Sequence, residues 1–156
     1  MRIFVLSLIP LLTAIIGYLA SIKFVDRRDF WERFDYWHKK IIAEIAFSKR
    51  TLPEIFNEAE SSDKNDLFLM VAKDYVKNHK TIIKFNFLCK EEKEFIDKYF
   101  QNIGTMDGDT QLNYLKSFET ELEKYVSGSE LKNKRFRPLF IKMGFLIGLV
   151  IFILII

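Results

Sequence analysis

Few residues in this chain have the type and spacing that chemistry needs. The two histidines, His38 and His79, lie far apart in sequence. The single cysteine, Cys89, sits in the stretch Asn86-Phe87-Leu88-Cys89-Lys90. One cysteine excludes an intramolecular disulfide and a multi-cysteine zinc site. Both histidines read as surface or boundary residues, and Cys89 as buried apolar filler. Asp107-Gly108-Asp109 offers two carboxylates to a cation, but the further carboxylates and closing Glu of a calcium loop are missing. It reads as a turn feeding a helix N-cap. Glu91, Glu92 and Glu94 fall where a helix is expected to start, and they suit its positive dipole end. The sequence has no G-x-x-x-x-G-K-[ST], no G-x-S-x-G and no H-E-x-x-H. The expectation is a non-enzyme with no catalytic residues, no cofactor and no metal.

The elements that would position any site show a strong asymmetry. Ile3 to Ile22 is a run of twenty residues without a charge, and Met143 to Ile156 adds fourteen more. All 21 acidic and 22 of the 24 basic residues lie between Lys23 and Arg137. A bilayer core of about 30 Å takes roughly 20 helical residues to cross. Ile3–Ile22 has that length, and Pro138–Ile156 gives 19 residues with only Lys142 charged. That lysine can snorkel to the headgroups. A tail that is apolar all round argues against a helix packed in a soluble core. The basic residues directly after the first run favour a retained anchor over a cleaved leader.

Residues 1–22 therefore read as a first transmembrane helix, 23–137 as a cytosolic helical domain, and 138–156 as a second transmembrane helix. Lys23, Arg27 and Arg28 follow the first span, and Lys132, Lys134, Arg135 and Arg137 precede the second. The positive-inside rule places the middle in the cytosol and both termini on the opposite side of the cell membrane. The same cations can attract anionic membrane lipids. Gly144 and Gly148 form a G-x-x-x-G, and Thr13, Gly17 and Ser21 are also four apart. Such spacing lets helix backbones pack closely.

The middle reads as all helix. Phe30, Phe34, Trp37, Ile41 and Ile45 share one face of a helix from Asp26 to Arg50. Trp31 and Trp37 read as core residues or headgroup anchors. Thr51-Leu52-Pro53-Glu54 makes a capping box for a short helix to about Ser61. A polar turn at Asp63–Asp66, a helix over Leu67–Asn78, and a helix over Thr81–Phe100 with a break allowed near Cys89 follow. Gly104 suits a C-cap. Gln111–Val126 is expected as the last soluble helix, broken or bent at Ser127-Gly128-Ser129. No strand signal appears. The fold class is all-α: a cytosolic bundle of about five to six helices between N- and C-terminal transmembrane helices. The middle is close to neutral, so no nucleic acid is expected.

Three stretches carry a family resemblance. Glu44-Ile45-Ala46-Phe47-Ser48-Lys49-Arg50-Thr51-Leu52-Pro53-Glu54-Ile55 is similar to an E-I-x-F-x-x-T-P-L-x-E helix junction, with Leu and Pro in the other order and the threonine one place later. Gly104 to Gln111 is similar to G-x-x-D-x-x-x-Q, and Gly144 to Leu149 to G-x-L-x-G-L. In order and spacing the chain resembles the stage III sporulation protein AB family of endospore-forming Firmicutes, along nearly its whole length. That resemblance implies a non-catalytic inner-membrane platform in the mother-cell membrane. Its domain would be like the cytoplasmic domains of type II secretion and type IV pilus platform proteins. Its partners would be a cytosolic secretion-type ATPase and other stage III sporulation membrane proteins, with a homo-oligomer left open. Gly17, Gly144 and Gly148 would pack the spans. Lys23, Arg27, Arg28, Lys132, Lys134, Arg135 and Arg137 would set topology and hold headgroups. Gly104, Asp107 and Gln111 would form a partner contact or shape a turn. The competing readings are a membrane-anchored scaffold or sensor without a motor, and a small transporter or pore.

Overall fold

A computed structural model describes residues 8–48, 54–56, 66–78, 83 and 85–155. Among these the chain is helical and has no strand: α1 Leu8–Ala43, α2 Leu67–Asn78, α3 Lys90–Gln101, α4 Gly108–Lys116 and α5 Glu119–Ile155. A π-helical segment, Glu44–Ser48, continues α1 and packs on α4. The chain divides into two compact units. One is Asp29–Ser127; the other joins Met1–Arg28 to Gly128–Ile156. Both long helices contribute to both units.

Within Asp29–Ser127, the expected stripe on α1 is buried. Phe30, Phe34, Trp37 and Ile41 meet Phe68, Leu69 and Ala72 of α2, Phe95, Ile96, Tyr99 and Phe100 of α3, Leu115 of α4, and Leu122 of α5 in one core. Trp31 joins them, stacked on Tyr125 at 4.7 Å between ring centres. Residues 54–56 are helical, with Ile55 and Phe56 in the same core. Thr51, Pro53, Ser61, His79 and Thr81 lie outside the described residues.

Three expectations are corrected. The helix expected from Thr81 is not helical at Phe85–Cys89; α3 starts at Lys90. The reason is packing. Phe85 and Phe87 stack on each other at 5.2 Å, and both reach Phe30. Residues two apart share a face only where the backbone is opened out from a helix. Second, Gln111–Val126 is not one helix. It divides at Ser117 and Phe118, where the Ser117 hydroxyl donates to the Tyr114 carbonyl at 2.6 Å and the Phe118 ring is turned into the core. Third, Ser127-Gly128-Ser129 does not break the chain, because α5 runs through it. The Ser127 hydroxyl bonds back to the Lys124 carbonyl at 3.2 Å, and the helix carries on past it. One glycine costs a long helix only about 1 kcal/mol.

Two side chains are also reassigned. Cys89 is exposed rather than buried; Leu88 beside it enters the core instead. His38 is fully buried rather than at the surface.

The tryptophans are tied down by the residues that start other helices. Trp31 Nε1 donates to Glu92 Oε1 at 2.7 Å. Glu92 Oε2 accepts from the Cys89 backbone N–H at 2.8 Å, closing the capping box of α3. Trp37 Nε1 donates to Asp66 Oδ2 at 2.8 Å. Asp66 Oδ1 accepts from the Phe68 backbone N–H at 2.9 Å, at the start of α2. Each carboxyl thus satisfies a helix-start N–H and a buried indole at once. That fixes α2 and α3 in register against α1.

Candidate functional site

In the unit formed by Met1–Arg28 and Gly128–Ile156, the apolar parts of α1 and α5 pack as an antiparallel pair. A Cβ placed on Gly17 would lie 2.5 Å from the Phe140 carbonyl oxygen and 3.3 Å from Gly144 Cα. One on Gly144 would lie 2.5 Å from the Thr13 carbonyl oxygen and 3.1 Å from Gly17 Cα. One on Gly148 would strike the Thr13 hydroxyl and come within 2.5 Å of Pro10 Cα. All three glycines therefore occupy the seam between the two helices. The polar groups there are satisfied locally. The Thr13 hydroxyl lies 3.1 Å from both the Ile9 and the Pro10 carbonyls, and the Ser21 hydroxyl donates to the Tyr18 carbonyl at 2.6 Å.

Towards the charged end, the seam becomes aromatic. Phe24 stacks on Phe136 with centres 5.6 Å apart and meets Phe140 at 5.4 Å. Lys23 Nζ lies 5.2 Å from the Phe24 ring centre and 5.4 Å from that of Phe140. The Arg135 guanidinium lies 5.6 Å over Phe136. A cation over a ring face is attracted by its quadrupole. Lys134 is paired with Glu130 at 2.6 Å, and that hydrogen bond holds the Glu130 carboxyl below its usual range. Lys132 and Lys134 are exposed, while Arg27, Arg28 and Arg137 are half-buried.

The unit boundary resolves the charge distribution. The unit containing the apolar pair carries nine basic against two acidic residues, a net of +7; Asp29–Ser127 carries fifteen against nineteen, a net of −4. A middle read as one near-neutral segment divides into an acidic stretch, 29–127, of net −4 and basic stretches, 23–28 and 128–137, of net +5.

Gly104 and Asp107 fall in the link between α3 and α4, and Gln111 in the first turn of α4. Gly104 has φ 82°, a left-handed conformation that costs other residues about 1–2 kcal/mol. Asp107 caps α4, its carboxylate accepting from the Thr110 backbone N–H at 3.3 Å. Hydrogen bonding to Thr110 holds that carboxyl below its usual range. Gln111 is buried, and its N–H donates to the Asp107 carbonyl at 2.8 Å. Gly104→Ala is expected to lower the stability of this unit by about 1 kcal/mol, read as a shift in the urea midpoint of tryptophan fluorescence.

Sequence reasoning missed one fully buried titratable group, His38. His38 Nδ1 lies 3.1 Å from the Tyr99 hydroxyl, and Nε2 has no hydrogen-bond partner among the described residues. Burial pushes the Tyr99 hydroxyl far up, so it keeps its proton. Burial pulls the His38 imidazole below its usual value; Glu119 and Asp35 oppose this, and Lys39 adds to it. The folded state therefore binds fewer protons at His38 than the unfolded chain. Its stability is expected to be full above about pH 6.5 and to fall as pH drops below that value, by at most about 1.4 kcal/mol per pH unit. Urea midpoints at pH 7.5 and 5.5 check this. His38→Gln is expected to flatten the dependence.

Among the described residues no cluster of three or more His, Cys, Asp or Glu is placed to hold a metal. Two helices are long and apolar enough to cross a membrane, and only 17% and 6% of their apolar stretches are buried. The core residues that α1 and α5 give to the body lie outside these apolar stretches. The sequence profile of Stage III sporulation protein AB matches residues 2–156. The chain belongs to this family. Membership covers the helical body and both apolar segments together, and ties the chain to stage III of sporulation. No curated protein and no solved structure matches it.

Proposed function

We propose that this stage III sporulation protein AB family member is a non-catalytic, two-pass membrane platform. In this reading the body Asp29–Ser127 lies in the mother-cell cytosol. It couples a secretion-type ATPase to other membrane components of an assembly linking mother cell and forespore. The observation that carries the reading is the continuity of α1 and α5. Each is one helix that holds both core residues, Trp31–Ile41 in α1 and Leu122 in α5, and an apolar stretch, with Pro138 inside α5 between the two. A force on the body would reach the spans through helical backbone rather than through loops. The basic stretches, 23–28 and 128–137, fit a cytosolic membrane face, and the acidic body offers a docking surface of opposite sign to a basic partner.

The test uses the full-length protein in nanodiscs and the ATPase encoded beside it, at physiological salt, with and without ATP. Saturable binding that depends on nucleotide supports the platform. A folded, reconstituted protein that binds no ATPase in either condition would favour the motor-free scaffold or sensor.

A further inference from the structure

We infer that the helix pair holds one anionic phospholipid, its acyl chain in a groove between α1 and α5 and its phosphate at Lys23. The groove has a volume of about 370 Å³ and is walled by Ile16, Gly17 and Ala20 of α1 and Phe140, Met143 and Ile147 of α5. It arises from the seam. Gly17 and Gly144 bring the backbones together, and with Ala20 they leave a floor recessed below the larger side chains.

The lining makes no polar demand on an occupant. Its one hydroxyl, on Thr13, is already placed against the Ile9 and Pro10 carbonyls. From Thr13 to Ala20 the groove runs about 10 Å along the helix, about a third of a hydrocarbon core. Its charged end is equally defined. Lys23 lies one turn beyond Ala20, and its Nζ sits 5.4 Å from the ring of Phe140, itself a wall of the groove. A chain lying on the floor emerges beside that ammonium, among the seven basic and two acidic residues of Lys23–Arg28 and Glu130–Arg137, a net of +5. The chemistry that fits both ends is an apolar chain carrying a phosphate of net negative charge.

The inference rests on the two segments crossing a bilayer. It is independent of any motor. The experiment puts the full-length protein in phosphatidylcholine nanodiscs with a trace of phosphatidylglycerol bearing a diazirine in mid-chain. Labels are mapped after photolysis. Labelling is expected to concentrate at Ile16, Met143 and Ile147 over Leu12 and Leu146. Lys23→Gln is expected to reduce that excess about fivefold, and Ala20→Leu, at an exposed position, to abolish it by filling the floor. Even labelling around both helices overturns the site. So does equal enrichment by a phosphatidylcholine probe, or a second polypeptide crosslinked over the groove. No label on either helix from either probe overturns the membrane reading itself.

Discussion

Glu92→Ala is expected to lower the stability of the helical body by about 3–4 kcal/mol. The side chain is fully buried and serves two donors, Trp31 Nε1 and the Cys89 N–H. Leaving the buried indole without an acceptor costs about 1–3 kcal/mol. Losing the reciprocal half of the capping box adds about 1 kcal/mol, and the space left behind adds more. Domains of this size are stable by only about 5–15 kcal/mol, so the change is a large fraction of the whole. Urea titration of the full-length protein in detergent reads it directly, because both tryptophans of the chain are in this core. A midpoint corresponding to a loss under 1 kcal/mol would show that the indole bond contributes little.

Glu92→Gln separates the two contributions. The amide keeps the volume and one acceptor oxygen, so one donor stays satisfied while the NH₂ group faces the other. Its cost should fall between wild type and alanine. Asp66 does the equivalent work for α2 with Trp37.

The helical architecture was largely legible because it rests on periodicity. The spacing of Phe30, Phe34, Trp37 and Ile41 identifies a buried face without any knowledge of the partner. The breaks were less legible. Phe85 and Phe87 leave the helix to reach Phe30, a contact far away in sequence. The division at Ser117 follows the burial of Phe118, where tertiary packing overrides propensity. The break expected at Ser127-Gly128-Ser129 is absent for the opposite reason: local breakers are outweighed by a 37-residue helix. Glu92 illustrates the limit on site reading. Its place in a helix's first turn was visible, and so was its fitness for the dipole. Its second task, holding Trp31, depends on an element sixty-one residues away. His38 was misplaced because a histidine on an apolar face carries no signal of how completely the face is covered. The small-residue spacing of the apolar segments showed a packing face. Only the backbone distances show that Gly144 and Gly148 meet Thr13 and Pro10 of the same chain.

That pairing leads to the second large effect. Gly144→Leu combined with Gly148→Leu is expected to separate the apolar helices while leaving the body Asp29–Ser127 folded. A Cβ at Gly144 already lies 2.5 Å from the Thr13 carbonyl, and one at Gly148 meets the Thr13 hydroxyl and the Pro10 backbone. Backbone cannot rotate aside as a side chain can, so the helices must move apart. In a bilayer, no hydrophobic force opposes that separation, because lipid tails are as apolar as leucine. Close van der Waals contact is what holds the pair, and two leucines remove it at both points. The measurement is crosslinking by a short bis-maleimide between cysteines introduced at Ile16 and Met143, with Cys89→Ser, in membranes. The crosslinked fraction should fall about tenfold, while the urea midpoint of tryptophan fluorescence stays within about 0.5 kcal/mol of the parent. Gly128 provides the contrast: a Cβ there meets nothing within 4 Å, so Gly128→Ala should leave the crosslink intact and stabilise α5 by about 0.5–1 kcal/mol. If the leucine pair and Gly128→Ala crosslink equally well, the seam does not depend on its glycines, and the spans are held together by the body alone.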